Sequence, residues 1–582
     1  MLESPFRIGA TLLLLAAFLF AGRSAAQAPF EPAQLPARTT FYLIWHGSPS
    51  GDLRKANAMM SLWDDPDFAP VRAALLDAVM SDAKPQNGNA KMSHEEIAQC
   101  ATLLDNPFTF GYLPQSDAPS AKPATTGKSA VQPKPTWNGL FFVYDRSGKE
   151  ELLSKAVLRM RSAEAEIPKL TEITVEGIRA LKVERKSGTS YWAETGRFAV
   201  FAGEPSVFEE VLKRLSGRSA GSSLADAQAY KEAKPLLSGG VMEFFLRVPR
   251  IKDIAAGSES SSPQLKALWN NIGLDTVHVL AGHISLEGAR TRLAGAVLGD
   301  TSEGSLFDIW SAGQSRPASL AYVTPETVYY NESQINLLGI YTTVKRALGQ
   351  PGSNSAGLAT TLENAAQTRI GMTLPDAFAL TSGEFGTLQA SPALDPDKRV
   401  FFVGIRNKPD ALKLIRTIFS DQVAGEQNEG NVSFLKISLR GSQGTRGVAQ
   451  WNFYHLAMTP DLLLGAAKGE TLRAALAHRA DASDAALPQN LQVARGQFPD
   501  KLNGFTYFDL QRLDWPAVKQ NWTLQAKKAA VEAKTPDAEQ KAKRLADWLT
   551  NVDPQVFPRH LHSLTGASWK EASGVHFDEW LD

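Results

Sequence analysis

LFFVYDRSGKEELLSKAVLR, residues 140–159, and VFFVGIRNKPDALKLIRTIF, residues 400–419, align without a gap, and what they share decides the fold. Each opens on apolar and aromatic residues suited to a strand, passes through a polar turn, and ends in apolar residues at helical spacing. The match extends outward. ALKV (180–183) pairs with FLKI (434–437). AGEPSVFEEVLKRLSGRSAG (202–221) overlies AAKGETLRAALAHRADASDA (466–485), and GVMEFFLRV (240–248) overlies GFTYFDLQR (504–512), both at one constant offset. HVLAGHISLEGARTRL (278–293) resembles HSLTGASWKEASGVHF (562–577), aligning Gly282 with Gly566 and Gly288 with Gly574, and each reads as a hairpin whose glycine supplies the turn. At the other end, LPARTTFYLIW (35–45) matches either RPASLAYVT or TPETVYYNE.

A repeat of this length is no solenoid unit; it predicts two tandem similar domains. Alternation such as Arg179-Ala180-Leu181-Lys182-Val183-Glu184 is the period of a half-buried antiparallel strand. Many strand connections are too short for a parallel crossover. The expected fold class is therefore α+β, each domain a mainly antiparallel sheet with packed helices. The first domain spans 27–299 with a Pro/Ala/Ser-rich insertion at 114–136, a linker follows at 300–316, and the second domain spans 317–582. In the linker, Leu306, Phe307, Ile309 and Trp310 predict some docking. Residues 524–552 read as two helices meeting at Thr535-Pro536, with Thr as N-cap and Pro at the first helical position.

Composition narrows the function classes. Of 582 residues, 61 are Lys or Arg and 61 are Asp or Glu, a balance that argues against a broad electrostatic footprint for nucleic acid. At the N-terminus Arg7 precedes the apolar run Ile8–Gly22 and the small residues of RSAAQA, the pattern of a signal peptide (1–26) cut after Ala26. The run is short for a membrane span, so no stable span is expected after cleavage; an uncleaved anchor is the alternative. The single cysteine, Cys100, forms no internal disulfide, which fits a periplasmic or secreted chain held by its core alone.

Candidate sites are few. GRSAG (217–221) has the spacing of a nucleophile elbow, yet a helical pattern enters it where a strand is required, and the matching stretch of the second copy, DASDA (481–485), lacks both glycines. Ser219 is thus expected in a helix-terminating turn. TTGKSA (125–130) lacks the first glycine of a phosphate loop, and SDAK (81–84) lacks the companion motifs of penicillin-binding enzymes. His94-Glu95-Glu96 lacks a second histidine one helical turn on. His560 and His562 are expected on one face of a strand, with His278 opposite His562 in the other copy, the best of a weak metal-ligand set. The aromatics Phe141, Phe142, Phe244, Phe245, Phe401, Phe402, Tyr507 and Phe508 read as sheet core, since neighbours on a strand face opposite ways. The sequence accordingly assigns no catalytic residue, no cofactor-binding residue, no metal ligand and no cofactor.

The repeated strand–turn–helix blocks, GRFAVFAGEPSVFEEVLKRL (196–215) and LPDAFALTSGEFGTL (374–388), resemble a bacterial family of exported proteins known as domain of unknown function family 3352. The resemblance implies an envelope α+β protein and carries no catalytic residues. The expectation is a periplasmic or secreted, non-enzymatic protein that binds a protein or small-molecule partner; an envelope hydrolase and a structural or quality-control component are the alternatives.

Overall fold

The computed structural model describes residues 30–49, 51–69, 71–72, 102–114, 139–155, 169–185, 188–219, 221–237, 239–249, 273–302, 304–348, 356–438, 455–477, 487–533 and 535–582. Residues 1–29, Cys100, His94, SDAK, TTGKSA and residues 115–138, which hold nearly all of the expected insertion, lie outside them. The described chain falls into two compact units, one of residues 30–249 with 278–298, the other of 273–277 with 299–582. Each is an antiparallel sheet with packed helices, an α+β architecture.

In the first unit ten strands form the sheet: Phe41–Trp45 (β1), Phe108–Tyr112 (β2), Leu140–Asp145 (β3), Lys169–Val175 (β4), Ile178–Arg185 (β5), Gly188–Thr195 (β6), Phe198–Ala202 (β7), Met242–Arg247 (β8), Val277–Glu287 (β9) and Arg290–Gly299 (β10). Their spatial order is β4-β5-β6-β7-β3-β2-β1-β8-β9-β10. Helices Pro205–Leu215 (α1) and Gln228–Ala233 (α2) cover one face, burying Val207, Phe208, Val211 and Leu212 against Tyr42, Phe141, Val143, Val200 and Phe245. That face is where alternate strand residues are apolar, so burial of the helix stripe is the main local driving force.

The end of α1 settles the reading of GRSAG. Gly217 adopts φ +69°, its N–H donates to Arg214 O, and Arg218 N–H donates to Lys213 O, a glycine-terminated helix end that satisfies the last carbonyls. Ser219 follows in the outgoing loop, where Arg214 Nη2 donates to Gly221 O and Ser222 O. A helix enters the motif, as the sequence predicted, and no strand does.

The second unit also contains a ten-stranded sheet: Tyr329–Gln334 (β11), Thr381–Gln389 (β12), Arg399–Ile405 (β13), Val423–Glu429 (β14), Val432–Ile437 (β15), His455–Met458 (β16), Leu462–Ala466 (β17), Gly504–Asp509 (β18), Ser563–Glu571 (β19) and Gly574–Leu581 (β20). Its order is β14-β15-β16-β17-β13-β12-β11-β18-β19-β20. Helix Lys408–Ile418 (α3) packs on one face, its Leu412 and Ile415 against Leu435, Ile437 and Leu456. Helices Gly469–Ala477 (α4) and Gln489–Arg495 (α5) pack on the other, where Leu472, Ala475, Leu491 and Ala494 meet Phe402, Ala457, Leu464 and Phe505. Residues 300–316 belong to this unit, and Phe307 is fully buried in it.

Helices Trp515–Glu532 (α6) and Pro536–Asn551 (α7) form an antiparallel pair, with Ala526, Ala546 and Leu549 buried between them. The Thr535 hydroxyl accepts from Ala538 N–H at 3.2 Å and Pro536 takes the first helical position, as the sequence indicated. Two expectations are corrected. His560 ends a short helix, Val556–His560, and His562 precedes β19, so the two imidazoles do not share a strand face. In the closing hairpins, Gly288 occupies the β9–β10 turn at φ +63°, whereas Ala572 and Ser573 make the β19–β20 turn and Gly574 is already the first residue of β20, opposite Glu571.

Candidate ligand-binding cleft

The outer strands of the second unit and the start of α4 enclose an open cleft of about 850 Å³. Its floor is set by sheet register. Gly425, Lys436, His455 and Ala466 form one cross-strand row over β14–β17, and Gln427, Phe434, Ala457 and Leu464 form the next. Because successive residues alternate faces, Leu435, Ile437 and Leu456 turn to α3 while Phe434, Lys436 and His455 turn to the α4 side. The wall is the first turn of α4 with the preceding Lys468. A Cβ added at Gly469 would stand 3.0 Å from His455 Nδ1, so glycine lets the helix begin directly over the imidazole.

Charge in the cleft is largely committed. The Arg473 guanidinium lies 4.5 Å from the centroid of the Phe434 ring and donates to Glu429 Oε1 at 2.5 Å and Gln427 Oε1 at 3.3 Å. Lys468 Nζ is 3.0 Å from Asp397 Oδ2, a pairing that raises the Lys468 pKa. Glu426 faces the other side of the sheet and takes both Nε and Nη2 of Arg416. Lys436, on the exposed strand surface, has no hydrogen-bonding or ionic partner among the described residues. Burial and the adjacent Lys436 ammonium both hold His455 below the ordinary imidazole value, so its ring is neutral at pH 7. The cleft thus joins the Phe434 ring, the Lys436 ammonium, the Glu470 carboxylate at the helix wall and an imidazole held below its ordinary pKa.

A second concentration of polar groups is sealed in the same unit. Glu332 on β11 accepts from Tyr330 Oη at 2.6 Å and from Arg495 Nη1 at 2.8 Å; Tyr330 Oη also meets Ser319 Oγ at 2.7 Å. Glu384 on β12 accepts from the backbone N–H of Ala318 and Ser319 at 3.0 and 2.8 Å. Both carboxylates are 1 % exposed. Desolvation raises Glu332 despite the Arg495 charge and pushes the Tyr330 phenol far up. A substrate has no access to atoms so buried. The network's work is structural: it fastens α5 and residues 315–319 to the sheet.

Of the residues singled out in the sequence, Ser219 makes no hydrogen bond to an acid or an imidazole among the described residues. His278 is exposed on β9, His560 lies at a helix end, and no group of three or more metal-ligating side chains occurs among the described residues. Of the eight strand aromatics expected in the core, Phe141, Phe244, Phe245, Phe402 and Tyr507 are buried, whereas Phe142, Phe401 and Phe508 are half-buried. Lys436, Lys468 and Gly469 sit inside repeated blocks, but nothing in FLKI or AAKGET marks them as lining a cavity. His455 lies outside every repeated block. No family model, curated protein or solved structure matches the chain. No helix among the described residues is long and apolar enough to cross a membrane.

Proposed function

We propose that this is an exported, non-enzymatic binding protein of two tandem similar domains, with its ligand site in the cleft between β14–β16 and the start of α4. The carrying observation is the cleft: about 850 Å³ falls in the range of roughly 300–1,000 Å³ typical of small-molecule sites, and polar groups converge on an aromatic surface. A binding role is favoured over catalysis because His455 has no hydroxyl, thiol or carboxylate in hydrogen-bond reach among the described residues, which leaves it without a proton relay. Export rests on the residue pattern at 1–26, and membership of the family 3352 on the repeated blocks.

The tandem reading is supported by strand order. Numbering the strands of each sheet in chain order gives the same spatial sequence in both. The row Lys182–Tyr191–Ala202 in the first corresponds to Lys436–His455–Ala466 in the second. The counterpart of the cleft is filled in the first unit, where Tyr191 packs 5.7 Å from Phe208. In the second, His455 takes the place of Tyr191 and lines the cleft, while Leu472 takes the place of Phe208 in the core. Divergence of one copy from packing to binding accounts for this difference.

The test is a thermal-shift screen of small organic molecules against the full chain and its Gly425→Trp variant. Gly425 lines the cleft with open space at its Cβ position, so the indole fills the cleft without backbone strain. Compounds that raise the Tm of the native chain and leave Gly425→Trp unmoved are expected; hits indifferent to the substitution would refute the site.

A further inference from the structure

We infer that the cleft takes a small organic anion, its charged group on Lys436 and its flat apolar body along the Phe434 side of the floor; this rests on the binding role proposed above. The argument is one of charge bookkeeping. Three acids near the cleft are held in ion pairs, Glu429 by Arg473, Glu426 by Arg416 on the opposite face, and Asp397 by Lys468, while Glu470 forms no ion pair among the described residues and its charge falls on Lys468. Glu470 lies in the first turn of α4, beside Lys468. Lys436 has no ion-pair partner among the described residues and stands in one cross-strand row between Gly425 on β14 and His455 on β16. A carboxylate, sulfonate or phosphate at Lys436 completes the pairing without displacing any existing bond. His455 is the cross-strand neighbour of Lys436 on the same face, and the side of the cleft given by Phe434 and the Arg473 guanidinium suits a planar body.

The specificity follows from the same geometry. A cation meets Lys436 at close range and is repelled. A neutral apolar ligand gains the floor but leaves the ammonium unpaired, so it binds more weakly than its anionic analogue.

Fluorescence titration of the full chain with 1-anilinonaphthalene-8-sulfonate, compared with the neutral N-phenyl-1-naphthylamine, tests the inference. The sulfonate dye is expected to bind one per chain, to weaken with added salt, and to lose about tenfold in affinity in Lys436→Gln, the scale of one charge-assisted contact. Binding should vanish in Gly425→Trp. Circular dichroism melts of both variants, each at an exposed position, verify the fold. If the two dyes bind alike and Lys436→Gln changes nothing while Gly425→Trp abolishes binding, the anion inference falls and the cleft stands as a site for neutral ligands. If Gly425→Trp leaves sulfonate binding intact, both the anion inference and the cleft assignment fall.

Discussion

Glu332 shows how a single residue can organise a core without acting on a ligand. Its carboxylate is buried beside Tyr330 and Arg495, and desolvation raises its pKa in the folded chain. A carboxyl held above its unfolded value of about 4.3 lends stability that is complete below that value and is lost as pH rises through the folded one. The unfolding free energy of the native chain, measured by urea denaturation relative to Glu332→Gln, is therefore expected to fall as pH rises from about 4 toward neutrality. A gap that widens with pH would show the carboxylate to be stabilised by Arg495 more than it is penalised by burial. Residue-scale reasoning also separates the two notable positions of GRSAG. Gly217→Ala forces a Cβ into a left-handed conformation and should cost roughly 1 kcal/mol, whereas Ser219→Ala should stay within about 0.5 kcal/mol. A fluorophosphonate probe should not label Ser219.

At the scale of elements, the sequence was legible wherever one local signal governed the outcome. The α6–α7 junction was readable because Thr535-Pro536 carries both a cap and a fixed φ. The helix before GRSAG was readable because Val207 and Val211 repeat at helical spacing. Register was not, because it is set between strands. The gapless match places Phe141 on Phe401, but the sheets place it on Val400, since Phe141 faces Ala202 and Val400 faces Ala466. A slip of one residue reverses the faces, and burial agrees with the corrected pairing: Phe141 and Val400 are inside, Phe142 and Phe401 half-exposed. Register likewise sets Phe245 against Tyr507, each paired with the buried tyrosine of the central strand, Tyr42 or Tyr330. That pairing aligns FYLIW of β1 with the VYYNE end of TPETVYYNE, the choice the sequence left open. His560 was misread for a related reason: two histidines two apart suit a strand, but Pro558 and the preceding turn make Val556–His560 helical.

At the scale of the whole molecule, two compact units carry sheets of the same strand order, and the proposed reading makes them copies with different fates. The cleft was invisible in the sequence because it arises from what is small: Gly425 and Gly469 line it beside His455, which stands where the first unit carries Tyr191. An absence of bulk carries no motif. If the cleft is the ligand site, occupancy must protect its walls and leave distant elements alone. Amide hydrogen exchange of the full chain with and without saturating 1-anilinonaphthalene-8-sulfonate measures this directly. Slowed exchange confined to β14, β15, β16 and the first turn of α4, with the first unit unchanged, is the result expected; protection elsewhere, or none at these elements, would contradict the assignment of the cleft.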